Sequence, residues 1–381
     1  MRLFHYNLFL VVFGIILFPV ISHAVIQYTV TDLGSFGGDY SIAYDVNESG
    51  VAAGYSRTNE FLERIAFVWD SGLLTDIGNL GKKNSISHSI NDYRQIVGSS
   101  ESLDNGRAFL WLPEPAYGLP AGMNDLGTLG GVVSDAKDIN NRGQVVGKSA
   151  ILSQLIVMHA FLWENGSMQD LGTLEGSFSE AFAINDHGIV VGRAEGKPGD
   201  PFNAFIWLSE PAYGLSEGMN RIGDPSMVSA ALDINNEGYV VGALRRDSPY
   251  HQAFIWEIGS SNAMQTIMEA KSTAIAINDN GWVVGGFEIE PETSVNHAFL
   301  FRNGQVTDLN NMIDTNSGWI LTSATDISNS GFIVGMGQKD GVSKAFILTP
   351  IPEPLSFSFA FGTLFIFAFY RRSTRSKKTR G

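Results

Sequence analysis

The chain has 381 residues, with 39 acidic against 25 basic side chains and a formal net charge of −14. It is long enough to bury a large core, and an acidic body excludes nucleic acid and anionic lipid as partners, since both need cationic surface. There is no cysteine, so neither disulfides nor thiol chemistry is available and stability has to come from packing.

The first element is a leader over residues 1–24. Arg2 and His5 make a short positive start, Leu8 to Val20 an apolar run, and Ser22-His23-Ala24 a small-x-small site with cleavage expected after Ala24. The run has 13 residues and contains Pro19, which makes it too short and too interrupted for an anchor. Export is the expectation. One Lys/Arg lies in this leader and six in the last eleven residues, so the body between them stands near −21.

Residues 25–349 are built from seven copies of one unit. The clearest block reads AKDINNRGQVVG at 136–147, ALDINNEGYVVG at 231–242 and AIAINDNGWVVG at 274–285, and the other copies close on Gly54, Gly98, Gly192 and Gly335. A second block, His159-Ala160-Phe161-Leu162-Trp163, follows each copy. A third, Asp170-Leu171-Gly172, recurs at Asp76 and Asp125, decays to Arg221-Ile222-Gly223 and Thr266-Ile267 in the fourth and fifth units, and partly recovers as Asp308-Leu309. These runs are rich in β-branched and aromatic residues and bounded by Gly, Asn and Asp, which reads as four short strands per unit, a to d.

Asn140 with Gly143, and Asn278 with Gly281, suit a type I turn with a glycine at positive φ between strands a and b. Arg94 stands in place of that glycine in the second unit, so that hairpin is expected to be strained or differently shaped.

Strands b and c are apolar along their length, which predicts sheets covered on both faces. Seven such four-stranded sheets describe an all-β, seven-bladed β-propeller, with a β-solenoid as the competing architecture. The ends of the repeat favour a ring. A strand d, Tyr28 to Gly34, precedes the first unit, while none follows Ala345–Leu348 in the last. The first strand is therefore expected to complete the seventh blade. The blocks at 125–131 and 159–163 resemble the HAF extracellular repeat family over residues 28–348. That resemblance implies export and repetition, not an activity.

Chemistry is sparse. Asp45, Asp138, Asp233 and Asp326 share one position of strand a, with Ser89, Ala183 and Ala276 in the other units. Such carboxylates suit Ca²⁺, but the expected role is local bonding to their own turn or the next blade, and no metal or cofactor is assigned. His159 and His297 share a position held elsewhere by Arg, Asn, Gln or Lys, which reads as a solvated strand end. No catalytic motif is present, so no catalytic residue is assigned and the protein is not expected to be an enzyme. Two similar loops, 112–124 and 208–220, carry Tyr117 and Tyr213 as candidate ligand contacts, packing under the loop being the alternative. The b–c loops vary in length and charge, which places any recognition on their face of the ring.

The last element is tripartite. Pro352-Glu353-Pro354 form a rigid stalk within residues 350–354. An uncharged apolar run follows over 355–370, and Arg371 and Arg372 open a basic tail over 371–381. The positive-inside rule leaves that tail cytoplasmic. This order resembles the PEP-CTERM sorting signal, with Ile351 where the family usually has Val. The resemblance implies an exosortase-type enzyme as partner, membrane insertion before processing, and a destination at the cell surface or in an exopolysaccharide matrix.

Together these readings give an exported, surface or matrix repeat protein with a binding or structural role, whose partners are the sorting enzyme and possibly extracellular polysaccharide or another surface protein. The alternative is a propeller hydrolase or lyase acting on polysaccharide. A His–carboxylate pair or a carboxylate cluster at the mouth of the central channel favours that alternative, whereas a mouth lined by Ala, Ser and backbone favours binding.

Overall fold

In each unit one glycine decides how closely strands a and b meet. A Cβ on Gly147 would collide with the Asp135 carbonyl of the neighbouring strand, and one on Gly192 with that of Glu180 and with the Phe205 ring. The close approach accompanies a β-bulge in strand a, where the register jumps between Ala136 and Asp138 and at the same place in every other unit. Opposite lies the Ala-Phe pair of strand c. All seven of its phenylalanines, from Phe67 to Phe346, are fully buried.

The computed structural model describes residues 27–352, apart from 60–62, 103–104, 152–156, 246–249, 261–262 and 290–294. The second to sixth units are each an antiparallel four-stranded sheet in the order a-b-c-d. The first and seventh units join into an eight-stranded sheet through one parallel bridge, Tyr40 to Ser343. Strand d of the fifth unit shrinks to Gln265–Thr266, as its decayed sequence block foretells. Elsewhere strand d ends at the aspartate of the Asp-Leu-Gly block rather than running through it. Asp125 and Asp170 cap the turn that follows by accepting from the amides of Gly127 and Gly172, at 2.8 and 2.7 Å.

The expected closing strand is present. Tyr28–Asp32 pairs antiparallel with Val342–Pro350, setting Val30 against Leu348 and Asp32 against Phe346. Leu33 continues the match, its amide donating to the Ala345 carbonyl at 3.1 Å, and Lys344 reaches Asp32 at 2.8 Å.

Neighbouring units are stitched by side chains. The amide of the strand-c alanine donates to a serine at the start of the next strand a: Ala108 to Ser134 at 3.0 Å, Ala160 to Ser179 at 2.8 Å. The same stitch joins Ala345 of the last unit to Ser41 of the first at 2.9 Å. Apolar clusters also span adjacent units; one contains both Phe67 and Ile347. These features make a propeller-like, repeat-rich all-β fold.

Among the described residues the only helix is the 3-10 turn Leu309–Met312, and no helix is long and apolar enough to cross a membrane. The leader with Ala24, the sorting residues Glu353, Pro354, Arg371 and Arg372, and the apolar segment 355–370 lie outside the described residues; Pro352 is exposed.

Candidate functional site

The bulge in strand a determines what faces the axis. With two residues opposing one on strand b, both the bulged residue and the residue after it are directed to the same side. Seven inner strands therefore contribute two tiers of side chains to an axial channel.

The lower tier is Asp45, Ser89, Asp138, Ala183, Asp233, Ala276 and Asp326, in chain order. Each aspartate accepts from the backbone of the next unit: Asp45 from the Ile90 amide at 2.7 Å, Asp138 from Ile184 at 2.8 Å, Asp233 from Ile277 at 2.7 Å and Asp326 from Val46 at 2.9 Å. This is the local bonding expected of them. Acid alternates with non-acid until the ring closes, where Asp45 and Asp326 become neighbours. The four are open only to the channel, and burial pushes all of them up: Asp138 and Asp326 to about 6, Asp233 to about 7. Asp45 is driven well above the usual carboxylate range by burial and then by Asp326, to which it is hydrogen-bonded. Among the described residues no three acidic or histidine side chains converge closely enough to hold a metal ion.

Above this tier, on the turn face, two belts of hydrogen bonds run round the axis. In the inner belt, six buried asparagines each donate Nδ2–H to the next unit's carbonyl, as Asn91 to Asn140 at 3.1 Å and Asn140 to Asn185 at 2.9 Å. Their Oδ1 accepts from their own turn: Asn140 takes the amides of Arg142 and Gln144, both at 3.0 Å. An amide side chain supplies donor and acceptor together where a carboxylate only accepts, which explains Asn over Asp here. Ser328 breaks this belt in the last unit.

The outer belt is complete. The Glu48 amide donates to Asp92, Asp92 to Asn141, Asn141 to Asp186, Asp186 to Asn236, Asn236 to Asp279, Asp279 to Asn329, and Asn329 back to Glu48 at 2.7 Å. Glu48 also takes the Ser330 amide at 2.9 Å.

The opposite mouth is different. Its tier consists of the bulged residues Tyr44, His88, Lys137, Phe182, Leu232, Ile275 and Thr325, around a cavity of about 350 Å³. They are equivalent in backbone and unlike in chemistry. Asp135 pairs with Lys137 at 2.7 Å and approaches His88 Nε2 at 3.4 Å. Burial alone would raise Asp135, but His88 and Lys137 outweigh it and hold the carboxyl far below its usual range. Burial, and then the Lys137 charge, lower His88 against the opposing pull of Asp135. Tyr44 packs on His88 with ring centres 5.4 Å apart, and burial pushes its hydroxyl up to about 12. Both features named as favouring an enzyme, a His–carboxylate pair and a carboxylate cluster, thus occur at the channel.

The residues singled out in sequence fare unequally. Tyr117 and Tyr213 are on the turn face, each at the left-handed φ of its loop, 54° and 55°. Tyr117 packs: its hydroxyl donates to Gln95 at 3.1 Å and its ring meets Trp163 edge-on. Tyr213 is 56% exposed. His159 and His297 are corrected. Each pairs with the strand-d aspartate of its own unit, Asp170 at 2.8 Å and Asp308 at 2.6 Å, because adjacent strands bring those ends together. Lys344 with Asp32 is the same pair in the last unit. The bulged tier was not singled out, though its signal, one variable residue after a near-constant alanine of the block, is visible in the repeat.

These features define a propeller-type protein with an axial channel. The family described as "Protein of unknown function (DUF3466)" matches residues 175–348. No curated protein matches the chain. Among solved structures, a puromycin hydrolase is similar at a TM-score of 0.55 and 11% identity, over 83% of this chain and 52% of that one. TolB from Acinetobacter baumannii aligns at a TM-score of 0.45 and 10% identity, over 84% and 65%. The chain thus spans about half to two thirds of the length of these proteins. The first likeness concerns the fold alone.

Proposed function

We propose that the chain is an exported, exosortase-sorted protein of the cell surface or extracellular matrix, folded as a closed seven-bladed propeller, with a non-catalytic binding or structural role. The observation that carries the binding role is the bulged tier. Seven positions that the scaffold holds alike carry seven different residue types at an open mouth, and variety the scaffold does not require is free to serve recognition. The mouth lies on the face of the b–c loops, where the repeat pattern places recognition. Support for sorting is the order of Pro352-Glu353-Pro354, apolar run and basic tail.

The test is fractionation of an exosortase-bearing host followed by mass spectrometry. The mature protein is expected in the envelope or matrix fraction, with peptides ending near Pro354. Recovery of residues 371–381 from most molecules overturns the sorting proposal.

A second reading, a polysaccharide hydrolase or lyase, is favoured by His88 beside Asp135. An imidazole beside a carboxylate at a channel mouth is a starting point from which a general base is built. Chain cleavage of a polysaccharide that is lost in His88→Ala would establish it. No cleavage of any bound polymer would leave the binding role.

A further inference from the structure

We propose that the open mouth binds an acidic polysaccharide, laid along an aromatic track that runs from the rim of the first unit to the axis; this rests on the binding role above and names its ligand class. Tyr40, Tyr55, Tyr44 and His88 follow one another with ring centres 5.7, 6.1 and 5.4 Å apart, the first two steps stacked and the last tilted. Tyr55 is buried and serves as backing, while Tyr40, Tyr44 and His88 keep accessible surface. Sugar rings carry apolar C–H faces and polar edges, so amphipathic rings that keep part of their surface open at this mouth match a chain of them.

Charge selects among sugars. Arg57 lies over Tyr40 at 4.7 Å and has no acidic partner among the described residues. Farther round the mouth, Lys148 and Arg193 share a single buried acid, Glu180, at 2.7 and 2.9 Å, which leaves one positive charge in excess. Lys137 and Asp135 cancel. On a body near −21 these are local cationic sites beside the aromatic file. A neutral glycan would leave them without a partner, and a carboxylated one uses both features. There is room for an extended ligand. Ile275 borders both the channel mouth and a hollow of about 1000 Å³ that spreads over the fifth to seventh units.

The test compares polygalacturonate with its methyl ester, which keeps the sugar backbone and removes the charge, by affinity electrophoresis of the mature chain. Polygalacturonate is expected to retard the protein, the ester at least about tenfold less, and salt at 1 M to weaken the effect. Tyr44→Ala and Arg57→Ala should each raise Kd about tenfold. Tyr44→Phe should keep binding, and Tyr213→Ala on the other face should change nothing; melting curves check that each variant is folded. Equal binding of both polymers, binding of neither, or wild-type binding by Tyr44→Ala overturns the proposal. Matrix retention in the host together with no binding of either polymer overturns the ligand class and leaves surface placement standing.

Discussion

Asp45 and Asp326, from the first and last units, are hydrogen-bonded to each other at the junction where the repeat meets itself, and burial raises both. The pair follows from parity. Acid alternates with non-acid along the chain, and an alternating pattern cannot close on an odd number of units without bringing two like members together. Two carboxyls so placed cannot both ionise cheaply.

The consequence for pH has a definite sign. A carboxyl raised in the folded state contributes stability that is complete below its unfolded value near 3.8 and is lost as pH rises through its folded value. The channel acids should therefore cost stability progressively up to pH 6–7. Asp45→Asn keeps a donor towards Asp326 and an acceptor for Ile90 without needing a proton. Its advantage over the parent should grow as pH rises above the unfolded value, by up to ~1.4 kcal/mol per pH unit. Urea denaturation at three pH values measures this, and an advantage that does not change with pH would refute the shared proton.

The inner belt predicts a ranking at Asn140. Alanine removes the donor to the Asn185 carbonyl and leaves the Arg142 and Gln144 amides without their acceptor, a loss of ~1–3 kcal/mol. Aspartate should be worse, because it sets a charged acceptor against that carbonyl. Chemical denaturation of the two variants decides the order, and equal stability of Asn140→Asp and the parent would mean the belt contributes nothing.

Arg94 has φ 61°, yet its amide still closes the turn to the Asn91 carbonyl at 2.9 Å, so the hairpin keeps the shape of the others and carries strain. Replacement by glycine should stabilise by ~0.5–1 kcal/mol net of the exposed Arg94–Asp70 pair. Thermal melts of Arg94→Gly provide the check, with a lower Tm counting against strain.

Removing residues 25–35 takes away the last pairing of Val342–Pro350 together with buried Tyr28 and Leu33, roughly 3–6 kcal/mol of burial. It also bares a strand edge. Gel filtration should find much of the truncated chain aggregated; a soluble monomer with the parental Tm would show that the pairing is dispensable.

Much of the ring was legible because its parts are local. Apolar runs, turn glycines and the displaced first strand each follow from a few adjacent residues, and the pairing of Tyr28–Asp32 with Val342–Pro350 matches what they require. The belts were not legible in that way. The Asn in each turn already has a sufficient local reason, and its second bond goes to a carbonyl more than forty residues away. The bulge was hidden for a related cause: strict alternation would turn Lys137 away from the side Asp138 faces, and only the extra residue opposite Gly147 brings both to the axis. Chemistry at the mouth was therefore sought in loops, although strand a supplies it.

Every link in the outer belt runs the same way round, each amide giving its hydrogen to the side chain ahead and the last returning to the first. Such a circle has no end from which to fray. Opening any one link, at the turns around the axis, takes a contact from the units on both sides. An open array of repeats can melt from its termini, one module at a time. This chain, having joined its two ends, is expected to hold or lose its order as a single body, and the seam between Glu48 and Asn329 makes seven modest repeats into one cooperative whole.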